Sequence, residues 1–297
     1  MTGAGDGSTA RSGAGRFAPS PTGPLHLGSL LAATASYLDA HALGLAWRVR
    51  LDDLDTPRNQ PGAETTILRA LEAHGLLWDG PVQRQSEHVD HYRAALDALA
   101  AQGLLFYCRC SRRDLRGHPS YPGTCRGQVG PRANCAVRIR VDDAEIAFDD
   151  LLEGPQHMAL GRTGGDFVVR RRDGIMAYQL ATAVDDGAPD ITRAIRGRDL
   201  LDSTPRQIFL MRRLGLSEPA YGHLPLLVNA AGRKLSKQTR AAPLQPEHAS
   251  ANLARVLRAL GASPDDAPDG AGCRELLAAA VARFTLAQVP RDDSTVP

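Results

Sequence analysis

Apolar residues near the N-terminus follow two spacings in turn, which predict a strand, a helix and a second strand. The first strand opens at Arg16, and helical spacing extends over 25–43 after a loop rich in proline and glycine. Residues 46–51 then alternate between apolar and polar side chains as a strand does. Strand, helix and strand in this order form a βαβ unit. This unit predicts an α/β fold on a parallel sheet with a right-handed crossover.

Helix and strand spacings continue through the rest of the chain, apart from one polar stretch. The remaining helices are predicted over 62–75, 87–102, 177–185, 200–214, 248–261 and 272–288, and the remaining strands over 137–140, 166–172 and 224–229. Residues 104–174 begin with a polar stretch, from Cys108 to Cys135, that holds four of the five cysteines. This change of composition predicts an insertion with a small core of its own. Residues 1–15 are mostly small and show no periodicity, which predicts a disordered N-terminal tail.

Length and composition exclude several classes of protein. The chain has 297 residues, of which 43% are hydrophobic and 23% are charged, as in an ordinary globular protein. No apolar run approaches the roughly 20 residues of a membrane helix, and the first fifteen residues contain no secretory signal. We therefore expect a cytoplasmic protein. Five cysteines, an odd number, favour reduced thiols or a metal site over a disulfide scaffold.

Lysine is used at only two positions, although lysine and arginine together number 35. Both lysines, Lys234 and Lys237, lie in one short segment that follows a predicted buried strand. Lysine offers a compact charge on a flexible stem, which suits charge that develops on a transferring phosphate. A solvated basic loop would have the same sequence, so this segment alone leaves both interpretations open.

A second segment with candidate chemistry lies between the first strand and the first helix. It runs Pro19-Ser20-Pro21-Thr22-Gly23-Pro24-Leu25-His26-Leu27-Gly28-Ser29. The N-terminus of a helix presents free N–H groups and a positive dipole end to an anion. His26 precedes that helix, and Gly28 lets a ligand approach the backbone. A tight turn with an exposed histidine is the alternative interpretation when this motif is taken alone.

The two segments together resemble the HIGH and KMSKS signatures of class I aminoacyl-tRNA synthetases. The string Arg16-Phe17-Ala18-Pro19-Ser20 is similar to the glutamyl branch of that family. The resemblance implies a Rossmann-type catalytic domain over 16–245, interrupted by the insertion and followed by a short helical segment over 246–290. It also implies that ATP, with Mg²⁺, activates L-glutamate to an adenylate without tRNA.

The resemblance assigns roles at the nucleotide. His26 and Lys237 would stabilise the α-phosphate during adenylate formation, and Lys234 would assist. The residues implied at ATP are His26, Gly28, Ser29 and Lys237.

The amino-acid pocket is expected to contain arginine, because the glutamate side chain is a carboxylate. Arg16 and Arg196 are the candidates. The resemblance implies a pocket formed by Arg16, Phe17, Ala18, Pro19, Ser20, Asp52, Tyr178 and Arg196. Asp52 would bind the substrate ammonium, although the family usually has the longer glutamate there. We expect this contact to run through water or to need a backbone shift. A solvated charge cluster at Asp52 and a core role for Tyr178 are the alternatives.

Cysteine spacing in the insertion predicts one structural zinc site. Cys108, Cys110 and Cys125 offer three thiolates, and zinc takes four tetrahedral ligands. Tyr121 would be the fourth ligand, as in the zinc-bearing members of the resembling subfamily. His118 and Cys135 are the alternatives from residue type alone.

The choice of acceptor rests on the segment that follows Lys237. Only 60 residues remain after it, which leaves no room for a separate anticodon-binding domain. We therefore expect a monomer similar to the short members of the glutamyl branch, which attach glutamate to queuosine in the anticodon loop of tRNA(Asp). The alternative is a shortened glutamyl-tRNA synthetase that charges the 3′ end of tRNA(Glu). A catalytically inactive RNA-binding paralogue and a small-molecule adenylate former are more distant alternatives.

Overall fold

The computed structural model describes residues 13–229, 232–235, 242–262, 268 and 270–295. The strands are β1 (Ala14–Phe17), β2 (Ala46–Leu51), β3 (Gln83–Arg84), β4 (Leu105–Cys108), β5 (Ala136–Ile139), β6 (Glu145–Asp150), β7 (Gly154–Ala159), β8 (Phe167–Arg170), β9 (Ile191–Gly197), β10 (Ala220–Leu224), β11 (Leu227–Val228) and β12 (Ser294–Thr295). The α-helices are α1 (Leu27–Ala42), α2 (Ala63–Ala73), α3 (Val89–Ala101), α4 (Tyr178–Asp186), α5 (Thr204–Leu214), α6 (Ala249–Ala259) and α7 (Cys273–Val281).

The central sheet confirms the predicted βαβ unit. Its five strands are parallel and lie in the order β10–β9–β1–β2–β3, with α1 crossing between β1 and β2. The first strand begins at Ala14, not at Arg16, because Ala14 and Gly15 already pair with β2 and β9. Residues 14 and 15 therefore belong to the sheet and not to the predicted tail, of which residues 1–12 lie outside the described part of the chain.

The sheet has a hydrophobic core on each face. Neighbouring residues of a strand point to opposite faces, so Ile195 packs into one core and Ala194 into the other. The first core unites the sheet with α1, α2, α6 and α7, and the second unites it with α3, α4 and α5. Helices on both faces of a parallel sheet are the expected α/β arrangement.

The insertion contributes an antiparallel sheet, β4–β5–β8, and a hairpin, β6–β7. Its apolar side chains join the second core, where they pack with α3, α4 and α5, because these helices cover the apolar face of the small sheet. The predicted small core of its own is reduced to one cluster, formed by Phe106, Cys108 and Cys125 with Cys110 and Tyr121 around it. The β6–β7 hairpin was not predicted.

Several boundaries differ from the predicted ones. The predicted strand over 224–229 is two strands, β10 and β11, on either side of Pro225. The helix predicted from residue 200 begins at Thr204, after a 3₁₀ turn over Arg198–Ser203, and the helix predicted over 272–288 ends at Val281. None of the helices in the described residues is both long and apolar enough to cross a membrane.

Candidate active site

The predicted site residues lie at the carboxyl ends of three neighbouring strands. The loop after β1, the end of β2 and the end of β9 meet there. Strands β2 and β3 follow on one side of β1 and strands β9 and β10 on the other, so the strand order changes direction at β1. Such a switch point in a parallel sheet opens a crevice that binds ligands. The Asp52 N–H donates to the Pro19 carbonyl at 3.0 Å, which ties the loops after β1 and β2 together.

A cavity of about 360 Å³ brings the two predicted nucleotide motifs together. The site candidates among its lining residues are Phe17, Ala18, Pro19, Ser20, His26, Gly28, Ser29 and Lys234. Segments about 200 residues apart in the chain therefore face one space, as the resemblance implied. Lys237 lies outside the described residues.

His26 is the N-cap of α1, and its imidazole folds against the first turn of that helix. The Ser29 N–H donates to His26 Nδ1 at 3.2 Å, and Nε2 lies 3.2 Å from the Ser29 hydroxyl. A side chain at Gly28 would meet the His26 ring at 3.2 Å and the Leu235 carbonyl at 3.3 Å. Gly28 therefore keeps the backbone close to both motifs, which is where a nucleotide would lie.

Lys234 reaches the same cavity from a tight turn after β11. The Leu235 N–H donates to the Leu227 carbonyl at 2.7 Å, and the backbone of Lys234 forms an antiparallel β-bridge with Val228. The Lys234 ammonium lies 2.5 Å from the carboxylate of Asp199, which also lines the cavity. This ion pair keeps the ammonium at the edge of the cavity.

A second cavity, of about 680 Å³, is lined by three of the candidates for amino-acid binding. Asp52 and Tyr178 line it, and Ser20 lines both this cavity and the nucleotide cavity. Arg58, Arg112 and Arg171 lie on its other walls. An amino acid bound between Asp52 and Tyr178 would thus lie beside the nucleotide. Since a glutamate has only ten heavy atoms, much of this cavity would remain for another group.

Arg196 is buried beside this second cavity and has only neutral partners within the described chain. Its Nη2 donates to the Thr204 hydroxyl and to the Gln207 side-chain carbonyl, both at 2.7 Å. Its Nε donates to Nε2 of His223 at 3.2 Å, and Nη1 lies 3.5 Å from the Tyr178 hydroxyl. These contacts fix the guanidinium without neutralising it, which suits the recognition of a substrate carboxylate.

His223 holds Arg196 in this arrangement as a neutral imidazole. Its Nδ1 lies 2.6 Å from a carboxylate oxygen of Asp150, which can only accept, so the proton is on Nδ1 and Nε2 accepts from Arg196. Burial lowers the pKa of His223 despite the favourable effect of Asp150. Asp150 is itself fixed by the backbone N–H groups of Leu152 and Glu153.

Arg16 has an internal carboxylate partner, in contrast to Arg196. It binds both oxygens of Asp186, at 3.0 and 2.6 Å, and Arg50 shares the same carboxylate at 2.6 Å. Burial alone would raise the pKa of Asp186, but the charges of Arg16 and Arg50 outweigh it and lower that pKa well below its usual range. Within the described chain, Arg196, and not Arg16, is therefore the arginine that no carboxylate contacts directly.

Asp52 lies at the edge of the same network. Arg50 Nε donates to it at 2.7 Å. Burial raises the pKa of Asp52, and Arg50 only partly opposes this effect. An ammonium placed against Asp52 would restore the balance, since it adds a positive charge to a buried carboxylate. The contact of Asp52 with a substrate ammonium stays a prediction.

Sequence reasoning missed the residues that hold the arginines. Asp186, Asp150, His223 and Gln207 are buried and lie behind the predicted pocket. Only Asp186 left a signal in the sequence. Asp185 and Asp186 end a largely apolar helix, and two carboxylates in such a place need positively charged partners. Asp150 lies on a strand that was not predicted, and His223 lies just before the predicted strand over 224–229, so nothing in the sequence linked them.

Three cysteines of the insertion form a group that fits a metal ion. One sulfur from each of Cys108, Cys110 and Cys125 lies within 4.8 Å of the others, and the Cys110 and Cys125 sulfurs are 3.7 Å apart. Tetrahedral zinc with Zn–S bonds near 2.3 Å places its sulfur ligands about 3.8 Å apart. The Tyr121 hydroxyl lies 3.4 Å from the Cys108 sulfur, close to the separation of about 3.5 Å expected for a fourth, oxygen ligand.

The alternatives to Tyr121 are not in this group. His118 and Cys135 are both described, and neither joins the three thiols within the same 4.8 Å. Burial would raise the pKa of Cys125, but hydrogen bonds from the Arg109 backbone and from neighbouring side chains outweigh it and lower that pKa to about 7. A thiolate is the form that binds metal.

Comparisons with known proteins show the family of this chain. A family model described as the catalytic domain of class I tRNA synthetases (E and Q) matches residues 14–122 and 124–262. A protein of Pseudomonas fluorescens named glutamyl-Q tRNA(Asp) synthetase is 49% identical over 285 residues, which cover 96% of this chain and 96% of that protein. A protein of Dechloromonas aromatica with the same name is 50% identical over 287 residues, covering 93% and 95% of the two chains.

Solved structures agree in fold. A glutamate tRNA ligase from Elizabethkingia meningosepticum, in complex with its amino acid, aligns with a TM-score of 0.77 and 25% identity over 96% of this chain and 67% of that chain. A glutamate-tRNA synthetase from Elizabethkingia anophelis aligns with a TM-score of 0.78 and 26% identity, over 97% and 68%.

Proposed function

Because this chain belongs to the family of class I glutamyl and glutaminyl tRNA synthetases, we propose that it activates L-glutamate with ATP and transfers it to queuosine of tRNA(Asp). The chain is a ligase of the class I aminoacyl-tRNA synthetase type. The relatives that it resembles over 93–96% of its length carry the name of this activity. We propose that it acts as a cytoplasmic monomer.

One observation carries the proposal for the first half-reaction: the two cavities at the switch point share Ser20. In our proposal, Arg196 and Tyr178 bind the side-chain carboxylate of glutamate, and Asp52 binds its ammonium. The α-carboxylate then points toward the nucleotide cavity, where it attacks the α-phosphorus of ATP and pyrophosphate leaves. Arg16 positions this pocket through Asp186.

The nucleotide cavity would supply the charge stabilisation for that attack. We propose that the backbone between His26 and Ser29, at the start of α1, faces the phosphates with its free N–H groups, and that ATP binds with Mg²⁺. Lys234 reaches the phosphates after exchange of its Asp199 contact, and Lys237, outside the described residues, joins it. Positive charge at this position acts where negative charge develops in the transition state.

For the second half-reaction, the unfilled part of the glutamate cavity would admit the acceptor. Its walls carry Arg58, Arg112 and Arg171, and Arg112 is exposed and has no ion-pair partner within the described residues. The cyclopentenediol of queuosine offers a hydroxyl that can attack the activated carboxyl, releasing AMP. The arginines would contact phosphates of the loop, which makes binding weaken with salt.

The insertion would hold one structural zinc ion through Cys108, Cys110, Cys125 and Tyr121. Four protein ligands leave no open position, so the ion would stabilise the fold and take no part in the chemistry. It would replace the apolar core that this part of the insertion lacks.

The test of this function follows labelled glutamate. We expect glutamate-dependent ATP–pyrophosphate exchange without tRNA, and label in tRNA(Asp) only when queuosine is present. Removing the 3′-terminal adenosine should leave that labelling unchanged. If trimming abolishes the label, or if the label is found in tRNA(Glu), the shortened glutamyl-tRNA synthetase is the correct reading. Exchange that needs tRNA, or that does not occur, contradicts the first half-reaction.

A further inference from the structure

A third cavity adjoins the glutamate cavity and has no role in the site described above. Its volume is about 670 Å³, and it lies between α3 and the insertion strands β4, β5 and β8. Leu54, Ile175 and Met176 line both this cavity and the glutamate cavity, so the two spaces share one wall. Its size is that of a site for a small organic group.

Most charged groups in this cavity are already engaged. Asp53 accepts from the backbone and the hydroxyl of Ser86, and Asp173 pairs with Arg171. Arg93 pairs with Asp90. These side chains therefore form the walls of the cavity and need no ligand.

Two charged groups of the lining have no side-chain partner in the described part of the chain, namely Arg170 and Asp97. Arg170 is half-buried on β8. It lies two residues after Val168, which lines the glutamate cavity, so both side chains are on the same face of the strand. A half-buried guanidinium without an anion beside it suits a phosphate group.

An aromatic ring completes this cavity. Tyr107 on β4 is half-buried in the lining and lies in one row of the small sheet with Val137 on β5 and Arg170 on β8. Aromatic side chains that bind single-stranded nucleic acid stack on the faces of unstacked bases, and a nearby guanidinium binds the backbone. A carboxylate accepts hydrogen bonds from amino groups of bases. Together these three groups fit one nucleotide.

We propose that this cavity binds the base of a nucleotide next to the acceptor queuosine. This inference rests on the proposed function, since it places the acceptor in the glutamate cavity on the other side of the shared wall. Tyr107 stacks on the base, Arg170 binds the phosphate that joins the two nucleotides, and Asp97 accepts from the base. Binding of a neighbour would turn the acceptor toward the adenylate and would fix which nucleotide of the loop reacts.

The test compares tRNA(Asp) carrying queuosine with the same tRNA made abasic at the nucleotide before or after queuosine. Tyr107→Ala and Arg170→Ala should each lower kcat/KM of glutamate transfer about tenfold or more, because stacking on one base contributes about 1–3 kcal/mol. Tyr107→Phe keeps the ring and should transfer near the wild-type rate. Pyrophosphate exchange should stay within about twofold in all three, which shows that each variant folds.

The abasic substrates identify the ligand. At one of the two positions, the abasic change should lower kcat/KM of the wild type by the same factor as Tyr107→Ala does with the intact tRNA. Tyr107→Ala with that abasic tRNA should show no further loss. Arg162→Ala removes an exposed arginine of the same insertion, outside the cavity, and serves as the control. The proposal is overturned if neither abasic change affects the wild type, or if the losses multiply.

Binding of an anticodon stem–loop with queuosine, measured on the same variants, separates this inference from the proposed function. If the wild type transfers no glutamate to queuosine, the proposed function is wrong. Binding of the stem–loop then still tests whether the cavity binds a base. Weaker binding in Tyr107→Ala and in one abasic stem–loop would support the cavity. Equal binding in all of them would refute it.

Discussion

At the scale of single residues, the buried arginines of the site differ in whether a carboxylate contacts them directly. Arg16 and Arg50 share Asp186, whereas Arg196 has neutral partners, at least within the described chain. An incoming carboxylate therefore meets a guanidinium that no carboxylate of the described chain contacts directly. The imidazole of His223 keeps this arrangement, because burial lowers its pKa and prevents a second positive charge beside the guanidinium.

This difference predicts the effect of Arg196→Lys. The variant keeps the charge and loses the planar fork that Thr204, Gln207 and His223 hold. We expect KM for glutamate in pyrophosphate exchange to rise about thirtyfold or more, since truncating a buried charged pair costs about 2–5 kcal/mol. Arg193→Lys, in the same strand but paired with Asp39, is the matched control and should leave KM unchanged. An unchanged KM in Arg196→Lys would remove Arg196 from the glutamate pocket.

At the scale of elements, α4 connects the pocket with the sheet. Tyr178 at its start faces the glutamate cavity, and Asp186 at its end binds arginines of β1 and β2. The carboxylate of Asp186 is fully buried, so its loss would leave two buried guanidinium groups without their shared partner. Removing one partner of a buried ion pair costs about 3–5 kcal/mol.

Asp186→Asn should therefore lower the free energy of unfolding by about 3–5 kcal/mol, measured by urea denaturation at neutral pH. The arginines lower the pKa of Asp186 in the folded protein. Its contribution is thus complete above the unfolded pKa of about 4 and is lost as the pH falls below that value. The wild type and the variant should converge in acid. Asp190→Asn breaks a partly exposed pair with Arg48 and should cost less than about 1 kcal/mol. Equal stability of Asp186→Asn and Asp190→Asn would contradict the role of this network.

How far the sequence predicts this molecule depends on how local each signal is. The spacing over 25–51 predicted the first βαβ unit, because helix and strand periods are properties of neighbouring residues. The central strand β9 was missed, although Arg196 on it was a candidate. It reads ITRAIRG, and the partners that bury its polar side chains come from distant parts of the chain. The same reason applies to Asp150 and His223, which pair over 73 residues.

At the scale of the whole molecule, the cysteine cluster of the insertion is separate from the two main cores. The cluster around Phe106 and Cys125 shares no member with either core, whereas strands β5 and β8 of the same insertion belong to the second core. A metal bound to this cluster would therefore support the segment from 108 to 128 and not the whole insertion, since helices α3, α4 and α5 support the insertion strands.

Cys125→Ser tests this division of the molecule. We expect zinc, measured by elemental analysis, to fall from one per chain to nearly none, because a serine hydroxyl is a poor substitute for a thiolate ligand. Protease cleavage should begin within 108–128. The rest of the catalytic domain should stay folded, so the variant should keep its pyrophosphate exchange. Transfer to tRNA should fall about tenfold or more, because Arg112 and its exposed neighbours Arg109, Arg113 and Arg116 lie on that segment and supply phosphate contacts. Cys273→Ser, which changes a cysteine outside the cluster, is the control for the loss of one thiol. Exchange and transfer that fall together would show that the metal supports the whole fold, and zinc that persists in Cys125→Ser would exclude this cysteine as a ligand.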